Sequence, residues 1–268
     1  MTAASATYTV EAYNLSQASE NKIHDDAVAQ KLGFTGGLVP GVEVFAYMTH
    51  PVVAKWGRAW FERGQMQARF LKPLYDGRMA EVSADPADAR DTLALTLESD
   101  AVRCASGMAS LPAPSTPPAL AAYPVTLPPT QRPPADDKSL AVGRLLGTKP
   151  APLTPERHLN YLRDVRERHP IYADEGLAHP GLLLRLCNSL LVENVVLAPW
   201  IHTGSSVQNF ALASIGDDLS ARGKVVRNYE HKGHRIVELD AVVIANGQSI
   251  LAHVHHTAIY QLRHLAKA

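Results

Sequence analysis

The sequence predicts an α+β protein built as a tandem, in which each of two copies is a long buried helix wrapped by a curved antiparallel sheet. Three observations lead there. Segments recur in the same order at an offset of about 140 residues, a proline-rich stretch interrupts the middle of the chain, and two helices are apolar nearly all round.

The repeat is carried by four segments. Gly37-Leu38-Val39-Pro40-Gly41 and the apolar run to Val53 match Gly176-Leu177-Ala178-His179-Pro180-Gly181 and the run to Leu197. An alternating strand, a turn at Tyr75-Asp76-Gly77 or Gly216-Asp217-Asp218, and a second strand then follow in each copy. Both copies close on two alternating runs, Thr92 to Glu98 and Ala101 to Leu111 in the first, Arg235 to Ala245 and Ser249 to Leu262 in the second. Strict alternation marks strands with one buried face. Asn246-Gly247 sits between two such runs, and both residues tolerate the positive φ of a type I′ hairpin turn.

The two helices begin at the Pro-Gly pairs. Val42, Val44, Phe45, Ala46 and Met48 in one, and Leu182, Leu183, Leu184, Leu186 and Cys187 in the other, leave no polar face, so each helix must be buried on most sides. A sandwich with its helices on an outer surface would require a more polar face. Between the copies, Pro112, Pro114, Pro117, Pro118, Pro124, Pro128, Pro129, Pro133 and Pro134 rule out a helix or an interior strand and favour an extended connector. The expected units are residues 1–111, a linker over 112–137, and residues 138–268.

Composition excludes several function classes. The chain has 268 residues, is 46% hydrophobic and 19% charged, and carries zero formal net charge, so it lacks the basic surplus of a nucleic-acid binder. The N-terminal stretch has no basic start followed by an apolar core, and no run approaches the roughly 20 apolar residues of a membrane span. A cytoplasmic protein without membrane contact is expected. Cys104 and Cys187, far apart in apolar contexts, read as core residues rather than a disulfide or a zinc site.

The chemistry is expected just ahead of the first buried helix, in Ser19-Glu20-Asn21-Lys22-Ile23-His24-Asp25-Asp26-Ala27, continuing through Ala29, Gly33 and Phe34 to Gly41. This stretch resembles the motif of the MaoC-like (R)-specific enoyl-thioester hydratases, D-x-N-P-(apolar)-H-x-D followed by an alanine, a Gly-Phe pair and a helix-opening glycine. Asn21, Ile23, His24, Asp26, Gly33, Phe34 and Gly41 fall on matching positions. The resemblance implies a double hotdog fold and addition of water to an enoyl thioester, or the reverse. Coenzyme A or an acyl carrier then enters as part of a small-molecule substrate, with no metal or redox cofactor. It also implies that His24 acts as acid and base, that Asn21, Asp26, Pro40, Gly41 and Val42 contact substrate, and that backbone N–H groups near Gly41 and Val42 polarise the thioester carbonyl.

Two positions depart from the motif. Ser19 stands where the family has its dyad aspartate, and Lys22 where it has proline. Glu20, Asp25 or Asp26 are candidate stand-ins. Glu43, in the first turn of the helix, is another, and if it faces the His24 cavity it supports an alternative reading as a hotdog acyl-CoA thioesterase, with Ser19 as a further candidate. A non-catalytic acyl-thioester binder or scaffold is a third reading. Arg69, Lys72 and Arg78 are candidate contacts for a pantetheine-linked phosphate. In the second copy Tyr172 takes the histidine position, so that copy is expected to be degenerate as a catalyst. His179 either caps the second helix or lines a second cavity. His253 and His255 share one strand face and read as polar outer surface, with no third zinc ligand at matching spacing. A homo-oligomer of the tandem pseudo-dimer is compatible with the sequence.

Overall fold

The structure, a computed structural model, describes residues 6–263 apart from 88 and 90, so the outer ends of the expected units, at 1 and 268, lie outside the described residues. The first repeat runs β1 (Ala6–Glu11), α1 (Asp26–Lys31), α2 (Gly41–Trp56), α3 (Arg58–Arg63), β2 (Gln65–Phe70), β3 (Met79–Pro86), β4 (Thr92–Ser99) and β5 (Val102–Ser110). The second runs β6 (Leu145–Gly147), β7 (Ala151–Pro152), α4 (Pro155–Asp164), α5 (Pro170–Glu175), α6 (Pro180–Val192), β8 (Ile201–Asn209), β9 (Asp218–His231), β10 (His234–Ala245) and β11 (Ser249–Gln261).

All strands belong to one antiparallel sheet in the order β1-β3-β4-β5-β2-β8-β11-β10-β9-β6, with β7 beside β9. The first half of that order is repeated in mirror sequence by the second. The halves join where β2 pairs antiparallel with β8, Gln65 opposite Gln208 and Arg69 opposite Gly204. The sheet curls around α2 and α6, which pack against each other at the centre. Almost every residue of α2 from Val42 to Val53 is buried, as its lack of a polar face requires.

Turn chemistry sets the strand register. Asn246 and Gly247 both take positive φ, +55° and +69°, and the Gln248 N–H donates to the Ala245 carbonyl at 3.1 Å, which closes the two-residue hairpin. Gly77 and Gly216, also at positive φ, close the corresponding turns of the two repeats. The strands β4, β5, β10 and β11 begin and end within a residue or so of the alternating runs. The short strands β1, β6 and β7 and the amphipathic helix α4 are additions to the simple helix-plus-four-strands pattern.

The proline-rich segment is extended apart from a 3₁₀ turn at Leu120–Ala122. Tyr123, which follows that turn, is buried against Val242, Ile244 and Ile250 on the outer face of β10 and β11, and its hydroxyl donates to Asp240 at 3.0 Å. Cys104 and Cys187 are both buried. Among the described residues no helix is long and apolar enough to cross a membrane.

Candidate active site around His24

The loop that carries His24 is built by short-range caps. Asn21 caps a 3₁₀ turn over Lys22–His24, and Asp25 caps α1 by accepting the Val28 N–H at 3.0 Å. Asp26 reaches back to accept the Gly37 N–H at 2.7 Å, and the Asn14 amide donates to the His24 carbonyl at 2.8 Å. Gly37 is required here, because a Cβ would strike the His24 carbonyl. The apolar underside of the loop, Ile23 and Leu38, packs on Leu262, Ile201 and Ile259 of the second repeat. The motif is thus clamped between the two repeats.

His24 is buried, and its protonation pattern follows from its partners. Nδ1 lies 2.6 Å from the Leu38 carbonyl oxygen, which can only accept, so Nδ1 carries the proton. Nε2 is therefore unprotonated, and its lone pair accepts a hydrogen bond from the Asn21 side-chain amide at 3.2 Å. The same amide donates to the Trp200 carbonyl at 3.0 Å, while the Asn21 oxygen accepts the Trp200 N–H at 3.2 Å, which ties the motif to the strand leading into β8. Burial is the main cause that lowers the His24 pKa to about 4, with the Leu38 hydrogen bond opposing it. The imidazole is neutral near pH 7 and offers a base.

Two cavities meet at His24. One, of about 230 Å³, is apolar for most of its wall, with Phe34, Leu38, Phe70, Leu74, Ile201 and Ile259. The other, of about 280 Å³, is mixed, with Ser16, Ser19, Glu20, Arg132 and Arg185 facing Val192, Val195 and Leu197. Asn21, His24, Pro40, Asn188 and Trp200 line both and form the junction. At that junction α2 begins at Pro40 without a side-chain cap. Among the described residues the Gly41 and Val42 N–H groups have no acceptor, as the first turn of a helix leaves them.

The expected site residues therefore separate. Asn21, His24, Pro40 and Gly41 line the apolar cavity, and Ser19, half-buried, lines the mixed one, its hydroxyl 3.4 Å from the Asn21 carbonyl oxygen. Asp26 is exposed and acts on the loop rather than on the cavity. Val42 is fully buried and lines neither cavity. Glu43 does not share the His24 cavity. Its carboxylate is fully buried and ion-paired with Arg185 of α6, because the third residue of α2 faces the neighbouring helix and not the sheet opening. Burial pushes its carboxyl up, the guanidinium works against that, and Arg185 is held charged by Glu43. Glu20 pairs with Arg132 from the connector at 3.0 Å and 3.1 Å. Of the three basic candidates only Lys72 lines the cavity, while Arg78 pairs with Asp100 on the surface at 3.5 Å.

Gly41 also has a packing role. A Cβ there would lie 2.8 Å from the Phe70 ring and 2.9 Å from His202 Nδ1, both closer than side-chain carbons tolerate. Gly41→Ala is expected to lower the unfolding free energy by about 1–3 kcal/mol through overpacking, read as a shift of the urea midpoint.

The matching position in the second repeat is closed. Beside Gly181 the space holds the Tyr161 hydroxyl and Ala46 of α2. Tyr172 is fully buried, stacked on His179 at 4.8 Å and edge-on to Phe61 at 5.8 Å. His179 is resolved as a cap, its Nδ1 accepting the Gly181 N–H at 3.1 Å, with Nε2 3.5 Å from Glu167. His253 and His255 lie on the outer face against Asp240 and Glu238. Among the described residues no group of three or more His, Cys, Asp or Glu side chains is placed to hold a metal.

Phe70, Asn188, Trp200, His202 and Ile259 line the cavity without any local motif to announce them. They come from β2, α6, the approach to β8, β8 itself and β11, and only the β2–β8 junction and the α2–α6 packing bring them to His24. The one readable signal was the repeat itself, which predicts that two copies share an interface.

No family model matches the sequence, and no curated protein does. Solved structures match over nearly the whole chain. A MaoC-domain protein from Chloroflexus aurantiacus has a TM-score of 0.64 at 10% identity, over 98% of this chain and 96% of that one. Rv0216 of Mycobacterium tuberculosis, described as having a double hotdog fold, has a TM-score of 0.63 at 15% identity over 96% of each chain. A MaoC-like dehydratase has a TM-score of 0.56 at 16% identity, over 95% of this chain and 98% of that one. At these identities the likeness is one of fold. The chain is a double hotdog protein, with the architecture of the solved MaoC-like dehydratases.

Proposed function

We propose that the protein adds water across the double bond of an enoyl thioester, or removes it in the reverse direction, with His24 as the acid and base. One observation carries the reading: a neutral imidazole with its unprotonated Nε2 at the junction of an apolar cavity and one of mixed lining, beside a helix start whose N–H groups lack acceptors. The fold shared with proteins described as MaoC-like dehydratases supports it.

The step balances with one base. Once water takes the place of the Asn21 amide at Nε2, that nitrogen removes a proton from it as the water oxygen bonds to the β-carbon, and the electron pair of the double bond moves toward the thioester carbonyl. The enolate oxygen is met by the Gly41 N–H group. The imidazolium then returns its proton to the α-carbon, which restores neutral His24 and places both additions on one face. No carboxylate is required, which accommodates Ser19 at the family's aspartate position. The apolar cavity suits the acyl chain, and the mixed one, with Arg132 and Arg185 on its wall, suits the carrier arm. The thioesterase reading draws less support, since Glu43 is fully buried, paired with Arg185 and lines neither cavity.

The test is loss of enoyl absorbance when the purified protein meets crotonyl-CoA and longer enoyl-CoA thioesters. Because His24 titrates at about 4 rather than near its ordinary 6.5, the base form persists through mildly acidic pH. The acid limb of kcat/KM is expected near pH 4. Absence of turnover with all chain lengths overturns the assignment, whereas an acid limb near 6.5 overturns only the lowering of the His24 pKa by burial.

A further inference from the structure

Helix α6 is apolar except for one stripe. Arg185, Asn188 and Ser189 are its polar side chains, and with Val192 they stand at the i, i+3, i+4 and i+7 spacing of a single helix face, which forms a wall of the mixed cavity. Of these four, Asn188 alone also lines the apolar cavity, so it stands with His24 at the junction. Arg185 is occupied by Glu43 and Ser16. The half-buried Asn188 side chain has no such partner: its amide makes no hydrogen bond among the described residues, and its Oδ1 atom is shielded on all sides. An unmet amide on a buried helix is a cost to the fold, which a leucine at this position avoids.

We infer that Asn188 donates a hydrogen bond from its amide nitrogen to the oxygen that is added to, or lost from, the β-carbon of the substrate. The inference rests on the hydratase reading of the same junction, and it brings the central helix of the second repeat into the chemistry of the first.

Which end of the amide faces the cavity follows from the cost of the alternative. The oxygen occupies the shielded position. Exchanging the two ends seals two unmet N–H donors in its place, and buried donors without partners are rarer and costlier than a bare carbonyl. The amide nitrogen therefore takes the open side. Asn21 is not free to serve there, because its oxygen accepts the Ile23 and Trp200 N–H groups and its nitrogen is tied to the Trp200 carbonyl. Water at Nε2 has two hydrogens and two lone pairs. One hydrogen points to Nε2, one lone pair attacks the β-carbon, and the other lone pair accepts the Asn188 N–H, while the second hydrogen stays on the product hydroxyl. The amide neither gains nor loses a proton. In the reverse direction the same N–H meets the hydroxyl oxygen as the carbon–oxygen bond breaks and negative charge collects there, before the His24 imidazolium delivers its proton. Groups from both repeats thus hold the oxygen on one face of the double bond.

The test compares two ligands that differ by one oxygen, butyryl-CoA and 3-hydroxybutyryl-CoA, titrated calorimetrically into His24→Gln, where turnover is slow. Adding Asn188→Leu is expected to weaken the hydroxy ligand by about 5–10-fold and to leave butyryl-CoA within about twofold. Asn188→Ala, which adds no bulk to the wall, is expected to do the same. With His24 in place, Asn188→Leu lowers kcat for crotonyl-CoA by about 10–100-fold, and Asn188→Gln, which keeps the amide, recovers part of the loss. The thermal midpoint of Asn188→Leu is expected to hold or rise, because an unmet amide has left a buried helix. Equal weakening of both ligands, or a hydroxy ligand unmoved by either substitution, overturns the inference. So does wild-type hydration that Asn188→Leu leaves unchanged, and in that case the hydratase reading stands. A wild type inert toward every enoyl thioester overturns the hydratase reading, and the difference between the two ligands then decides the donor by itself. Binding of neither ligand overturns both.

Discussion

Replacing His24 with glutamine is expected to lower kcat for crotonyl-CoA hydration by about 10²–10⁴-fold, the range that a positioned general acid and base contributes. Glutamine keeps a donor for the Leu38 carbonyl, which Nδ1 holds at 2.6 Å in the native protein, so the loop retains its anchor. It offers no nitrogen of suitable basicity toward the cavity. The walls from Phe34, Phe70 and Ile201 are untouched, and KM is expected to change far less than kcat. Stability is also expected to hold, because Ile23 and Leu38 secure the loop independently of the imidazole. Steady-state kinetics beside a thermal unfolding curve checks both halves of the expectation. A variant that hydrates at the wild-type rate removes His24 from the chemistry.

The second large effect concerns the helix pair. Arg185→Met is expected to cost about 3–5 kcal/mol near neutral pH, since it strands the Glu43 carboxylate in a fully buried place. The sign of its pH dependence is set by that carboxylate. Without the guanidinium, burial raises the folded-state pKa of Glu43 above its unfolded value, so the folded state binds more protons. The penalty then grows as pH rises through that interval and is relieved on acidification. Urea unfolding of wild type and variant at pH 5 and pH 8 measures this as a difference in destabilisation. Adding Glu43→Gln is expected to restore most of the loss at pH 8, because a buried pair removed as a unit leaves no unpaired charge. A loss equal at both pH values and unrelieved by Glu43→Gln assigns the effect to packing of the arginine stem instead.

The legible part of this protein is the part written in local periodicity. The alternating runs became β4, β5, β10 and β11, Asn246-Gly247 became a two-residue hairpin with both φ angles positive, and the two all-apolar helices became the buried centre. These signals were readable because a strand's pleat, a turn's φ and a helix's lack of a polar face are each set by residues close in sequence. The edge strand β1 carries the same local signal, an alternating ATYTVE, although the helix-plus-four-strands repeat does not call for it. Helix α4 was obscured by its polar composition, with only His158, Tyr161 and Leu162 buried among its ten residues.

At the site the same boundary holds. The sequence by itself determined where His24 lies, because its caps at Asn21, Asp25 and Asp26 all act within a few residues, Gly37 excepted. It could not determine what His24 faces. Glu43 is adjacent in sequence to Gly41 and Val42, yet the rotation of α2 turns it toward α6 and into a pair with Arg185. Asn188 and His202 are distant in sequence, yet the antiparallel join of β2 to β8 and the crossing of the central helices deliver them to the cavity wall. Only the tertiary structure decided these placements, because a side chain's direction within its own element is local, whereas the group it meets is chosen by how two repeats close one sheet around two helices.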